Sequence, residues 1–404
     1  MQIWIVRGNV MDPVSSLPSR STTRQGGAGK KGSSTATRKP SKKRKRKKKG
    51  FFHTVGRFLM VLILLAAIGE VWLYLTPSGN KMLYLMADTL ITTQHRHWAK
   101  YLIGQAELDR RVAAYQKQFD EMGEEKDTHT IKPQPGTAGA GDKEEEKPKP
   151  LMEIEEVSGT GYRGYVVTVN DPTKIRLGVP AKRGKGEKVS SMVERTGAVA
   201  GINGGGFADP NWKGNGFKPI GVVISQGKLY YNGLDSKKSS TQIVGIDKQG
   251  KMVAGKYSLD ELKDMGIQEA VTFQPRIIVN GKGQIKSQKE GWGIAPRTAM
   301  GQREDGAILF VVIDGRQPGY SIGASLYDVQ QIMLDHGAVL AANLDGGSST
   351  VLVTKGGEIV NKPSSEYGER YLPTAFLVFE HPEQVNIPNI WEGLRPQDID
   401  PGKK

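Results

Sequence analysis

Residues 308–350 read ILFVVIDGRQPGYSIGASLYDVQQIMLDHGAVLAANLDGGSST. Ile308–Ile313 is a short, wholly apolar, largely β-branched run that predicts a buried strand. In the segment Ser325 to His336, Leu326, Val329, Ile332 and Met333 share one helical face, with Ser325 placed to cap the start and Gly337 to end it. A second apolar run then leads to Asn343. Each strand empties into a polar, Gly-containing turn, Asp314-Gly-Arg316 and Asn343-Leu-Asp-Gly-Gly-Ser-Ser-Thr350. With one helix between them, the two turns can bring Asp314 and Asp345 to one edge of a sheet.

Similar short runs flank this segment: Tyr165–Val169, Ile220–Ser225, Gln242–Ile246, Ile277–Val279 and Ala375–Phe379, punctuated by Gly, Asn-Gly and Asp. Many strands and few helices predict an α+β domain built on a mixed sheet, spanning 151–381. Before it, KPQPGTAGAGDKEEEKPKP within 127–150 has the Pro, Gly and charge of a linker. Residues 382–404 read as a polar tail.

Charge separates the N-terminus from the rest. Residues 1–57 hold 16 Lys or Arg and one acid, Asp12, whereas the other 347 residues carry 41 basic and 41 acidic groups. A neutral domain argues against a nucleic-acid surface, and the tail is expected to be disordered, its basic block Lys42–Lys49 suited to anionic lipid. Phe58–Leu75 (FLMVLILLAAIGEVWLYL) is broken only by Glu70 and approaches the ~20 residues that cross a bilayer. Cations on its N-terminal side predict a cytoplasmic N-terminus and an extracellular domain, in a single-pass membrane protein. No small-residue cleavage site follows the run, so an anchor is expected in preference to a signal peptide. Between 81 and 126, Leu83, Met86, Leu90, Trp98, Leu102 and Leu108 recur at helical spacing, which predicts a juxtamembrane helix or two. His95 and His97 lie two apart, on different faces, and do not make a metal pair.

Three clusters interrupt the strands. In Ala200-Gly-Ile-Asn-Gly-Gly-Gly-Phe207, Gly204, Gly205 and Gly206 let backbone approach a phosphate or sugar hydroxyl beside Asn203, although a tight turn would use the same residues. The spacing matches neither dinucleotide-binding nor P-loop patterns. In Trp292-Gly-Ile-Ala-Pro-Arg-Thr-Ala-Met-Gly301, Arg297 and Thr298 open a strand, and the planar Arg fork suits phosphate oxygens. The Asp314 and Asp345 turns offer the two carboxylates that glycosyl transfer uses, or else plain Asp-Gly turns. Glu369-Arg370, just before the last apolar strand, adds a further acid and base. The chain has no cysteine, and after the linker only His336 and His381, so Cys–His and Ser–His–Asp catalysis lack their parts, as does a zinc site. No cofactor is specified; Asp314, Asn343 and Asp345 leave an oxygen-bound cation such as calcium open.

Taken together, Asn203-Gly-Gly-Gly-Phe207, Pro296-Arg-Thr-Ala-Met-Gly301, Asp314-Gly-Arg316, Asn343-Leu-Asp-Gly-Gly-Ser-Ser349 and Glu369-Arg370 resemble the phosphodiester glycosidase family. The resemblance covers about 155–380. It implies removal of N-acetylglucosamine from a sugar phosphodiester to leave the phosphomonoester, or, as for bacterial members, a link to exopolysaccharide or cell-envelope metabolism. It also implies a site lined by Asn203, Arg297, Asp314, Asp345 and Glu369 and shaped by Gly204, Gly205, Gly206, Gly346 and Gly347. Within it we expect Asp314, Asp345 and Glu369 as catalytic candidates, and Arg297 on the phosphate with Asn203, Thr298, Arg316, Asn343, Ser348, Arg370 and the glycines around the substrate. A mammalian member is rich in disulfides and this chain has none, so only the motif residues carry over. The alternative is a non-catalytic envelope protein that binds polysaccharide or polyol phosphate with the same residues.

Overall fold

A computed structural model describes residues 49–93, 95–131, 149–210, 214–236 and 238–402. The basic tail before Lys49 and most of the expected linker lie outside the described residues. The chain divides into two compact units, Met1–Val71 and Trp72–Lys404. Helix α1, Lys49–Leu75, makes up the described part of the first unit and enters the second with its last turn. Its portion His53–Leu75 is long and apolar enough to cross a membrane.

The second unit is α+β with few helices, as expected, and among the described residues its strands pair antiparallel in three sheets. The first sheet runs, edge to edge, Met152–Gly159, Tyr162–Val169, Ile308–Ile313, Arg297–Arg303, Ala338–Asn343, Arg276–Val279 and Lys282–Gly283. The second orders Glu358–Ile359, Leu352–Thr354, Ala200–Asn203, Ala375–Val378 and Ile175–Gly178. The third orders Lys228–Asn232, Val222–Ser225, Ile267–Thr272, Ser240–Asp247 and Met252–Ser258. Two hairpins turn on Gln226-Gly227 and Asn280-Gly281, where both residues have positive φ; that pair of signs defines the type I′ turn, whose twist matches paired strands. One apolar core joins all three sheets, with Phe310 of the first facing Phe376 of the second at 6.5 Å between ring centroids.

Helices cover the outer faces. After α1 come α2 (Pro77–Ile91), α3 (Lys100–Ile103) and α4 (Gln105–Glu124), so the expected juxtamembrane helix is several pieces. Then follow α5 (Val189–Thr196), α6 (Leu259–Asp264) and α7 (Leu326–Asp335). α7 begins at the predicted cap: the Ser325 side chain accepts from Asp328 N–H and that carboxylate returns to Ser325 N–H. Its Leu326, Val329 and Met333 bury against the back of the first sheet.

Two expected boundaries move. Residues 127–131 pack on the domain, with His129 buried and its Nδ1 2.6 Å from Asp127 and Nε2 3.1 Å from Gln302. The polar tail is also part of the fold. Ile387, Ile390, Trp391 and Ile399 join the central core, and Trp391 Nε1 donates to the Phe217 carbonyl at 2.9 Å. Apolar residues scattered among Pro and charge show no period, so composition alone concealed them. Trp391→Ala should therefore cost about 3–5 kcal/mol of stability, read as a lowered denaturant midpoint at unchanged slope; an unchanged midpoint would mark the segment as a mere appendage.

Candidate active site

Register sets the site. Ile308–Ile313 and Ala338–Asn343 both flank Arg297–Arg303 antiparallel, with Arg297 opposite Ile313 and Ala299 opposite Asn343. The chain therefore leaves both outer strands at the end where Arg297 enters the middle one. The second sheet delivers the end of Ala200–Asn203 to the same seam. There the fully buried Asn203 amide accepts at Oδ1 from Thr298 Oγ1 (2.8 Å) and Val351 N–H (3.1 Å), and its Nδ2 donates to the Asp345 carbonyl.

The three glycines after Asn203 act differently from the expectation. Gly204 N–H donates to the Thr374 carbonyl, Gly205 N–H to Thr374 Oγ1 and Gly206 N–H to the Thr272 carbonyl. Their donors are spent inside the fold, so what the glycines provide is close approach. A Cβ at Gly204 would lie 2.6 Å from Thr374 Oγ1 and one at Gly205 2.7 Å from Val271 Cβ, nearer than packing allows.

The guanidinium groups of Arg316 and Arg370 lie near the turn at Asp345, and the backbone of Arg297 packs against it. Arg297 is buried; its Nε donates to Ala324 O (3.1 Å) and its Nη2 to Trp292 O (2.9 Å) and Gly293 O (3.1 Å). Desolvation, then the charge of Arg316, pulls it down to about 10. Arg316 is exposed, and a Cβ at Gly347 would lie 3.0 Å from its Nη2. Among the described residues neither Arg297 nor Arg316 has a carboxylate at ion-pair distance. Arg370 does: it pairs with Asp209 at 2.6 Å, reaches Ser348 Oγ at 3.3 Å and lies 5.0 Å from the Phe207 ring centroid. Trp292 and Arg316 both take positive φ, 51° and 60°, a strained conformation for residues with a side chain.

Asp345 keeps some exposed surface, yet its carboxyl is hemmed in closely enough that desolvation pushes it up to about 6. Hydrogen bonds from Ser349 and Gly346 and the charge of Arg370 oppose that rise, and Asp209 adds to it. Asp314 is in another situation. It is buried, Oδ1 accepts from Asn361 Nδ2 (2.8 Å) and Lys362 N–H (3.0 Å), and Oδ2 accepts from Tyr320 Oη (3.0 Å). Burial still raises its proton affinity, against those donors. Glu369 turns to the start of α5, where its Oε1 accepts from Ser190 N–H at 3.0 Å. Asn343 Nδ2 donates to Gln274 O at 3.2 Å while its buried Oδ1 has no partner among the described residues. Among the described residues no group of three or more His, Asp or Glu is placed to hold a metal.

Sequence reasoning passed over Asp209, Ser349, Thr374, Asn361 and Tyr320. Asp209, just past the glycine run, carried the one usable signal; the others matter through partners far away in the chain.

Residues 196–379 match the family model described as phosphodiester glycosidase, the family that the motifs resemble. The SPbeta prophage-derived uncharacterized protein YomE of Bacillus subtilis is 29% identical over 198 residues, 47% of this chain and 29% of that protein. The chain thus spans under a third of the length of that curated relative. The catalytic domain of zebrafish N-acetylglucosamine-1-phosphodiester alpha-N-acetylglucosaminidase, auto-inhibited by its pro-peptide, is 22% identical. It superposes with a TM-score of 0.46 over 58% of this chain and 85% of its own.

A carboxyl held above its unfolded value binds its proton more tightly in the folded chain. Its stabilising contribution is complete below about pH 4 and is lost as pH rises through about 6. Asp345→Asn should therefore raise the melting temperature at pH 8, by roughly 2–4 °C per kcal/mol relieved, and leave it nearly unchanged at pH 4. Equal melting curves at pH 8 would show that the carboxylate is not strained.

Proposed function

We propose that the chain is a hydrolase that cleaves the bond between a sugar C1 and a phosphodiester oxygen, in a sugar-1-phosphodiester or a related envelope polymer. One observation supports the reading above the rest: a desolvated carboxyl, Asp345, lies within the charge of Arg370 and of Arg316, and Arg316, like the buried Arg297, has no carboxylate at ion-pair distance among the described residues. Such a site has positive charge to spare for a phosphate and a carboxyl poised near neutrality for proton transfer.

In the proposed step, water adds to C1 and the C1–O bond breaks with its electron pair passing to phosphate. The water proton goes to Asp345 and then to solvent, and the phosphomonoester leaves with its charge met by Arg297 and Arg316. Phosphate is a stable leaving group, so neutralising its charge is more useful than protonating it. If Asp345 attacks C1 itself, it must equally be ionised. We assign Asp314 to positioning, because both its oxygens already accept from neighbours, and Glu369 to holding α5. Arg370, Ser348 and Asn203 would shape the sugar side. Lys185, 3.9 Å from the Tyr371 ring centroid, would add an exposed cation for an anionic substrate.

We also propose that α1 anchors the chain in a membrane, with the basic tail on anionic cytoplasmic lipid and the domain on the outer face. The same residues would serve a non-catalytic binder of polyol phosphate or polysaccharide, and turnover separates the two.

The full chain should release free sugar and phosphomonoester from a sugar-1-phosphodiester panel, with kcat/KM rising as pH passes through about 6. Asp345→Asn should bind the same compounds yet lose turnover by several orders of magnitude; equal binding without turnover in either protein would establish the binder instead. Arg297→Gln should lower kcat/KM about 10²–10³-fold, and a loss no larger than that of an exposed Lys variant would remove Arg297 from the site.

A further inference from the structure

The face of α2 that carries Met82, Leu85 and Met86 is apolar and exposed, at 46%, 39% and 45% of each residue's surface. The opposite side, Leu83, Ala87 and Ile91, is buried. Trp98 and Tyr101 of the next turns are exposed as well, by 49% and 74%. A soluble protein rarely leaves five large apolar residues of one short segment in water without a partner.

The corner before α2 places this surface. Only Thr76 separates α1 from α2; its hydroxyl donates to Trp72 O at 2.7 Å and accepts from Gly79 N–H at 3.0 Å. A Cβ at Gly79 would lie 2.0 Å from Trp72 O, so only glycine permits the turn. The Tyr74 hydroxyl donates to Leu102 O at 3.0 Å, fixing α3 beside the last turn of α1. Around the apolar residues the charges are Lys81, Arg96 and Lys100, while the one acid between residues 77 and 104, Asp88, is buried and paired with Arg111 at 2.7 Å. Trp, Tyr, Met and Leu interleaved with Lys and Arg match a headgroup layer. A second copy of this chain would bring the same cations face to face.

We propose that the surface formed by Met82, Leu85, Met86, Trp98 and Tyr101, with Lys81 and Lys100, is seated in the headgroup region of an anionic bilayer, so that the candidate site works at the membrane surface. The proposal rests on the reading of α1 as a span. Its consequence for the site runs through Thr89, which follows Met82, Leu85 and Met86 on the same helical face at i+7. The Thr89 hydroxyl accepts from Ile294 N–H at 3.1 Å, and a Cβ at Gly293 would lie 2.4 Å from Thr89 Cα. The carbonyls of Trp292 and Gly293 hold Arg297. The loop that holds the guanidinium therefore sits one helical turn from the apolar face, and substrates presented at the bilayer surface reach it first.

The chain has no cysteine, which makes single labels clean. Nitroxide would be attached through Met86→Cys, Tyr101→Cys and, as a reference, Tyr367→Cys, which is 88% exposed. Each full-length variant would go into vesicles of mixed phosphatidylglycerol and phosphatidylcholine. We expect labels at 86 and 101 to be several-fold less accessible to a water-soluble nickel chelate than the label at 367, and more accessible to oxygen. Nickel accessibility equal to that at 367, in chain that resists an alkaline wash, overturns the proposal and leaves the span intact. Spin–spin broadening between copies overturns it in favour of self-association. Chain that washes off the vesicles removes the span reading, and this proposal with it.

Discussion

The amide of Asn203 ties together the parts of the molecule on which the site depends. A side chain with no exposed surface at the seam of two sheets must satisfy its donors and acceptor within the protein, because an unmet buried amide costs about 1–3 kcal/mol. Asn203 does so through Thr298 on the first sheet, Val351 beside the second, and the backbone of Asp345. Those bonds set the start of the Arg297 strand against the turn that carries Asp345. The residues with chemical potential are thus held by core packing, which limits the freedom that loops would otherwise have.

Charge at the seam is arranged against solvation. Arg297 is surrounded by carbonyl dipoles, and its surroundings lower its proton affinity without neutralising it. Burying such a cation is costly, and the carbonyl dipoles around it offset part of that cost. Two of the three carbonyls come from a loop with strain at Trp292, whose ring packs against Phe119 of α4 at 4.8 Å and Tyr115 at 6.1 Å between centroids. The N-terminal helices therefore belong to the support of the site as well as to the link with α1.

Much of the architecture could be read locally. The apolar runs at 162–169, 222–225, 240–247, 276–279, 308–313 and 375–378 are strands, and α7 starts and stops at its predicted caps. Helix α6 was legible but passed over, since Ser258 and Glu261 form a capping box three residues apart. Helix α5 is a single short stretch with no side-chain cap on Lys188, and no local pattern marks it strongly. The burial of Trp391 and the docking of His129 were hidden for a different reason: segments rich in Pro and charge pack through isolated side chains, which leave no period.

By itself the sequence determined the α+β class, the separation of a basic tail and an apolar helix from a neutral domain, and, through five motifs in fixed order, the family that this chain resembles. These follow from local periodicity, capping chemistry and composition, which any window of the chain displays. Only the tertiary structure decided among the residues inside those motifs. Asp314 and Asp345 look alike in sequence, each followed by glycine after an apolar strand. Folding surrounds one with Asn361, Lys362 and Tyr320 and sets the other near Arg316 and Arg370, with desolvation pushing its carboxyl up to about 6. Solvation and pairing are sums over neighbours distant in the chain, so the difference exists only once the sheets have met.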